Sequence, residues 1–458
     1  MSPARLSALD AAFLSLESAE APMHVGWAAV FAPPATGPRP GYEDVLAHIA
    51  SRLGRAPRYR QRLATVPLGL SDPVWVDDPA FDVANHVVRA AHGDFAVLVD
   101  EVLSAPLQPG RPLWELWIAE RLDDGMIGVV GKAHHCLVDG LAAVELMALL
   151  LDAEPTVNSA GAGEGEHEHE HVNGWLARPL PSAMTLAGDA LSHQAGEARR
   201  IAALPLAWAR SPGAAVDGAV RAAKAVAQAA APVAPRSRLN GAMSPLRHLA
   251  THSRPMEDLK VIKRRFGTTV NDVLLAVSAG ALGEALGDAE GDMKAMVPVS
   301  VDAPDERWGN RIAFVFLALP CSEADPVWRL RDVHVAMRSR KRAGVPEGAD
   351  TVLGALALAP RPLRRVASRV IASPGLSNLT ISNIPGPQCP LYLLGCEVKH
   401  AYPVVPLTAR HRLSIGMTSI HERACFGVYA HGELAADADR IAAGIGSGLD
   451  ELLARAAA

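Results

Sequence analysis

Cysteine is scarce in this chain and unpaired by spacing. Its five cysteines, Cys136, Cys321, Cys389, Cys396 and Cys425, are odd in number and scattered, with no C-x-x-C among them. That argues against a disulfide framework and against a zinc-ribbon or dithiol redox site, and reads as reduced thiols. Long apolar runs are also missing: no uninterrupted stretch reaches the ~18 residues of a membrane span. The N-terminal MSPARLSALDAAFLSLESAE places acids where a signal peptide needs an apolar core, so the expected location is cytoplasmic. Charge of one sign is lacking too. A net charge of -5 argues against general affinity for nucleic acid, while local basic clusters remain available for phosphate or anionic lipid.

What the chain does have is core material. Apolar residues make up 49% and charged residues 20% of 458 positions, enough for two well-filled globular units. Residues 1–155 mix β-type runs (HVGWAAVF, MIGVVGKAHH) with helical patterns (YEDVLAHIASRLG, GLAAVELMALLLD), which is mixed α/β material. At 156–174 Gly, Glu and His replace the apolar periodicity, as expected of a flexible linker. Its HEHEH tract (His167, His169, His171) reads as a solvated loop, because nothing fixes a ligand geometry; no metal site is expected. Residues 175–240 are Ala-rich and predict a bridge of broken helices. Trp208, between Arg200 and Arg210, fits either an ordinary surface helix or one lying at a membrane surface. From 241 to 458 β-branched and alternating runs return, predicting a second sheet.

Chemistry concentrates in GKAHHCLVDG, residues 131–140. It lies where a β-prone run gives way to a helical pattern, so Asp139 is placed to cap that helix and Gly140 to let the chain turn. The two histidines lack such a structural reason, since buried imidazoles cost stability unless each finds partners. Adjacent residues of an extended segment face opposite ways, so only one enters a given cavity. A neutral imidazole held at one nitrogen offers the other as a general base near neutral pH. His135 fits that role and also fits a satisfied core histidine. Cys136 points away from its neighbour and makes a poor candidate nucleophile.

HHCLVDG matches the HHxxxDG signature of the coenzyme-A-dependent acyltransferase superfamily. LSALDAAFLSLESAEAPMHVG, PLWELWIAERL, TVNDVLLAVSAGAL, VPVSVDAPDERWGNRIAFVFLALP and SNLTISNIPGP together resemble, in order and over nearly the whole chain, the bacterial bifunctional wax ester synthase/diacylglycerol acyltransferase family. The resemblance implies an α/β fold of two chloramphenicol-acetyltransferase-like domains, each a mixed sheet with flanking helices, and an active-site channel between them. It implies His135 as general base toward an acceptor hydroxyl that attacks an acyl-CoA thioester, with His134 in polar contact nearby. Asp139 becomes a structural organiser, followed by Gly140. The substrates implied are long-chain acyl-CoA and diacylglycerol or a long-chain alcohol, handled at a membrane or lipid-droplet surface. No cofactor is implied, because acyl-CoA is a substrate.

Further positions follow from the same resemblance. Asn271 and Asp272 match a pair before a long apolar helix, and also read as its cap with Thr268 and Thr269. Pro112, Leu113 and Trp114 fit an acyl-chain wall or core packing equally. Asn310, Arg311, Ser382 and Asn383 are polar positions beside β-type runs that would line the channel, while Gly386 and Pro387 shape a turn. RPLRRVASRV alternates basic and apolar residues as a membrane-surface helix does. Two rival readings stand beside this one: a condensation-type acyltransferase fed by a carrier-protein thioester, and a lipid-droplet-binding protein without turnover.

Overall fold

In the computed structural model, which describes residues 3–137, 150–155, 175–210, 212–287, 290–301, 311–357, 359 and 361–458, MIGVVGKAHH supplies the strand Ile127–His134, buried at all eight positions. Its lack of polar alternation has a simple cause, since both faces are covered. Ile127, Val129 and Ala133 pack with Val45 and Ile49 of helix Tyr42–Arg52. Val130 packs on the other side with Leu98, Val99 and Val102 of helix Phe95–Ser104.

This strand is central in a six-stranded sheet ordered Tyr392–Leu393, Cys396–Val404, His24–Phe31, Ile127–His134, Trp114–Ala119, Val87–Arg89. The last pair is parallel and the others antiparallel. A second six-stranded sheet runs Arg311–Leu319, Met293–Val301, Leu379–Ile384, Leu413–Ile420, Arg423–His431, Arg247–Pro255, with Leu379–Ile384 parallel to both its neighbours. Both sheets are thus mixed and flanked by helices, the α/β architecture expected. Helix Val270–Leu286 is buried without a break from Asp272 to Ala279 in the second core, which helix Ala435–Ala457 shares. No single helix among the described residues is long and apolar enough to cross a membrane. The segment 175–240 contains helices Ala183–Arg210 and Pro212–Ala230. The linker 156–174, Asp139, Gly140 and Asn310 lie outside the described residues.

A boundary at residue 241 does not describe the strand pairing. Tyr392–Leu393 and Cys396–Val404 come from the C-terminal half yet complete the first sheet, Tyr402 opposite Ala28 and Pro403 opposite Trp27. The crossing strand also rests on the second sheet. Gly416 and Gly427 are register partners there. A Cβ on Gly427 would fall 2.2 Å from the Pro403 carbonyl oxygen, and one on Gly416 2.9 Å from the Pro403 ring. Only glycines admit this approach. A polar clamp reinforces the junction: Asp100 of helix Phe95–Ser104 accepts from the Leu249 backbone at 3.0 Å and faces His248 at 2.7 Å, while Asp439 meets the other nitrogen of that ring at 3.0 Å.

Gly427→Ala should therefore lower stability by about 1–3 kcal/mol through overpacking of rigid backbone. Gly188→Ala, on a helix with open space around it, should raise stability by up to about 1 kcal/mol. Urea midpoints of the two variants check the pair, and equal midpoints would refute the tight junction.

Candidate active site

The backbone of three neighbouring segments holds the two histidines. The His134 N–H donates to the Leu113 carbonyl at 3.0 Å, and the His135 N–H donates to the Met23 carbonyl at 2.9 Å. Met23 is itself buried and adopts φ +50, a region disfavoured for bulky side chains, just before the strand that begins at His24. The chain then turns at once, the Leu137 N–H donating to the His134 carbonyl at 2.9 Å.

The two rings differ in environment. His134 is 1% exposed; its Nδ1 accepts the Cys136 N–H at 3.1 Å, and burial lowers its pKa to about 4. It is neutral near pH 7 and committed to the turn. Its Nε2 stands 3.8 Å from the Glu17 carboxylate, outside hydrogen-bond range. The His135 ring is half-buried and stacks on Phe13 of helix Ala8–Leu16, centroids 3.7 Å apart and planes 15° apart. That face-on contact fixes the plane of the ring. Between them in accessibility, His135 is the one suited to proton transfer. Cys136 is buried, and burial raises its thiol far above the usual range, which leaves no thiolate for nucleophilic attack.

Behind His134 lies a buried polar group that the sequence reading did not single out. His24 is the register partner of His134 and accepts the Leu107 N–H at 3.4 Å; burial, then Lys132, lower its pKa to about 3. Lys132, 1% exposed, donates to the Val102 and Ala105 carbonyls at 2.8 Å each and pairs with Glu115 at 3.2 Å. Arg247 donates to the Ser244 carbonyl at 2.6 Å and to the Glu20 carbonyl. The available signal was a lysine two residues before the histidine pair inside an otherwise apolar strand. Such a lysine shares the face of His134.

The remaining expected residues fall into separate groups. Trp114 is a core residue: it stacks on His86 at 4.7 Å and donates Nε1–H to the Tyr59 carbonyl at 2.8 Å. Pro112 is buried, and the Leu113 carbonyl holds His134 in place. Asp272 forms a capping box with Thr269 (3.1 and 2.9 Å) and meets His334 at 2.8 Å, with Asn271 half-buried beside it. Ser382 and Asn383 are half-buried opposite Gly416 and Met417, the former in register with the glycine under Pro403. Arg311 opens the strand at the far edge of the second sheet. The structure thus brings Leu113, His134 and His135 together and places Arg311 elsewhere.

Comparison with known proteins agrees across the whole chain. Residues 6–274 match the wax ester synthase/diacylglycerol acyltransferase catalytic domain, and residues 308–453 match the WS/DGAT C-terminal domain. A probable diacylglycerol O-acyltransferase of Mycobacterium tuberculosis is 31% identical over 466 residues, covering 98% of this chain and 96% of the relative. A putative diacylglycerol O-acyltransferase of Mycobacterium bovis shows the same identity and coverage. Among solved structures, the wax ester synthase/diacylglycerol acyltransferase from Marinobacter aquaeolei VT8 superposes with TM-score 0.66 at 25% identity, covering 100% of both chains. The first condensation domain of the CDA synthetase shares the fold, TM-score 0.60 at 15% identity, covering 100% of this chain and 97% of that one.

The burial of these rings sets an acid limit on stability. A histidine whose folded pKa lies below its unfolded value of 6.5 contributes stability that is full above pH 6.5 and lost down to the folded value. For His134 that window runs from 6.5 to about 4 and for His24 from 6.5 to about 3. His248, raised to about 9 chiefly by its hydrogen bond to Asp100, acts oppositely, its contribution fading as pH rises through 9. His134→Gln should flatten the fall in urea midpoint between pH 6.5 and 4, by on the order of 3 kcal/mol. An unchanged acid limb would show that His134 takes up protons freely in the folded protein.

Proposed function

The chain belongs to the wax ester synthase/diacylglycerol acyltransferase family, and from that premise we propose that it esterifies diacylglycerol to triacylglycerol with His135 as general base. Members of this family are acyl-CoA-dependent O-acyltransferases, and long-chain acyl-CoA with diacylglycerol or a long-chain alcohol are the substrates that membership implies. The observation that carries the assignment of the base is the held, half-buried His135 ring, stacked on Phe13 at the end of a fully buried strand.

In the proposed reaction a His135 ring nitrogen takes the proton of the acceptor hydroxyl as its oxygen attacks the thioester carbonyl. The tetrahedral intermediate collapses, the C–S bond breaks, and the imidazolium returns its proton to the departing CoA thiolate. Ester and free CoA result, without an acyl-enzyme and without a cofactor. A positioned base of this kind contributes about 10²- to 10⁴-fold in rate. His134 supports the turn: its Nδ1 is occupied by the Cys136 N–H, and its ring stays neutral. Asp139 keeps, in this reading, the structural-organiser role that the family resemblance implies.

Diacylglycerol is preferred over a fatty alcohol in this reading because the curated relatives cited carry that activity in their names. The condensation-type alternative is supported by shared fold alone. Such lipid substrates also support peripheral attachment to a membrane or lipid droplet from the cytoplasm.

Release of CoA from palmitoyl-CoA, followed with diacylglycerol and then with hexadecanol, tests the proposal. Diacylglycerol should be the faster acceptor, and no thiol release with either would end the transferase reading. His135→Ala should cut turnover by about 100-fold or more at an unchanged melting temperature. Cys136→Ala should stay near the parent rate, and a reversal of this order would revive a thiol mechanism.

A further inference from the structure

The helix Arg361–Ile371 splits its cations between two tasks. Arg361 and Arg364 turn inward and grip Asp72 at 2.7 and 2.6 Å, and Arg361 also donates to the Gly69 carbonyl. Arg365 and Arg369 turn outward and, among the described residues, have no ion-pair or hydrogen-bond partner. Beside them Leu363, Val366 and Val370 are 56%, 55% and 54% exposed. Spaced at i, i+3 and i+7, these three share one stripe of the helix, and the free arginines at i and i+4 form the stripe next to it.

A second apolar group stands on the turn that this helix holds. Leu68 is 95% exposed at φ +56, between Pro67 and Gly69. A left-handed conformation is disfavoured for a leucine, and full exposure removes any return from burial. The turn is nonetheless fastened on two sides, by Arg361 through Gly69 and by Gln194 of helix Ala183–Arg210, which donates to the Leu70 carbonyl. On that long helix Met184 and Leu191, seven apart, are 84% and 54% exposed. Hydrophobic groups therefore protrude from elements bonded to one another, and the cations beside them have no partner among the described residues.

We propose that helix Arg361–Ile371 and the Leu68 turn form the face by which this protein docks on an anionic lipid surface. Aliphatic side chains enter the acyl boundary while Arg365 and Arg369 meet headgroup phosphates. The occupant follows from exposure and charge. Aliphatic side chains stand exposed on a helix flank and on a turn, beside exposed cations, the combination an anionic lipid surface takes up. A second copy set symmetrically against it brings like charges together, Arg365 and Arg369 against their counterparts. The chain's net charge of -5 offers no overall attraction to anionic lipid, so these arginines orient the molecule with this face down.

The face also has a position relative to the chemistry. Helix Ala8–Leu16 lies between helix Arg361–Ile371 and His135: Ala8, Ala11, Ala12 and Ser15 border a cavity of about 290 Å³ shared with Arg365, and Phe13 of the same helix stacks on the His135 ring. The docking face is thus one helix away from the proposed base. The inference rests on the lipid-acylating function proposed above for its purpose, and on exposure and charge for its evidence.

Sedimentation with vesicles tests it, using phosphatidylcholine alone and phosphatidylcholine mixed with phosphatidylglycerol. The parent protein should pellet with the anionic vesicles, less so with neutral ones and less at high salt. Leu68→Asp and the double variant Val366→Asp/Val370→Asp should weaken binding by about tenfold or more, and Arg365→Glu/Arg369→Glu should abolish the preference for phosphatidylglycerol. CoA release from a short-chain acyl-CoA to a water-soluble alcohol should stay within about twofold of the parent in all three, because no substituted side chain touches His135. Variants that pellet like the parent would overturn the docking face, as would a parent that ignores vesicles or one that dimerises through these residues. Vesicle binding that depends on these residues, without thiol release toward any acceptor, would uphold the face and remove the transferase reading.

Discussion

Pro403, its ring set against Gly416 and its carbonyl against Gly427, makes the contact on which the two sheets depend. It allows one strand, Cys396–Val404, to hydrogen-bond within the first sheet while lying against the second. From there the order is inherited strand by strand. Pro403 is in register with Trp27, Trp27 with Gly131, and a Cβ on Gly131 would lie 2.8 Å from the Trp27 ring. A few residues further along the same strand stand His134 and His135. Close packing transmits position in this way because cores are too dense to absorb a shift. A seam built from glycines and one proline thus sets the register of the strand that ends in the histidine pair.

Within the histidine pair, chemistry is divided by burial. His134 gives up its titration to complete a turn, and its neutral state is maintained by desolvation. His135 is half-buried, with enough contact on Phe13 to hold one orientation. The same turn also buries Cys136. The neutral His24 and the buried cations Lys132 and Arg247 lie on the His134 side, where Lys132 ties helix Phe95–Ser104 to the strand through two carbonyls. That side of the sheet is held by polar contacts as much as by apolar packing.

Local patterns in the sequence carried much of this. A β-prone run ending in two histidines read as a strand that stops at a site, and Asn271 and Asp272 with Thr268 and Thr269 read as a helix cap, of which Thr269 and Asp272 form the capping box; both are features of a few adjacent residues. Trp114 was ambiguous from sequence, since a wall and a core want the same side chain; its stacking on His86 and its bond to Tyr59 make it core. What local pattern did not carry was pairing over distance. Nothing in CEVKHAYPV says that it belongs to the sheet of HVGWAAVF, because β-strand partners are chosen by tertiary fit. The same holds for Phe13 over His135, and for Met23, whose left-handed backbone no residue type announces. Asp139, Gly140 and Asn310 fall outside the described residues, so their expected roles stand on sequence.

The crossing strand also orders events during synthesis. His24–Phe31 and Ile127–His134 leave the ribosome before Cys396–Val404 and pair with each other, but the outer edge of His24–Phe31 lacks this partner strand until Cys396–Val404 has been made. Until then an apolar strand edge stands open, the kind of surface that recruits chaperones or another chain. The sheet that carries His134 is therefore begun by strands of the N-terminal half and finished by strands of the C-terminal half. A ribosome that stops before that point releases a protein that has its histidines but not the strand that holds them in register.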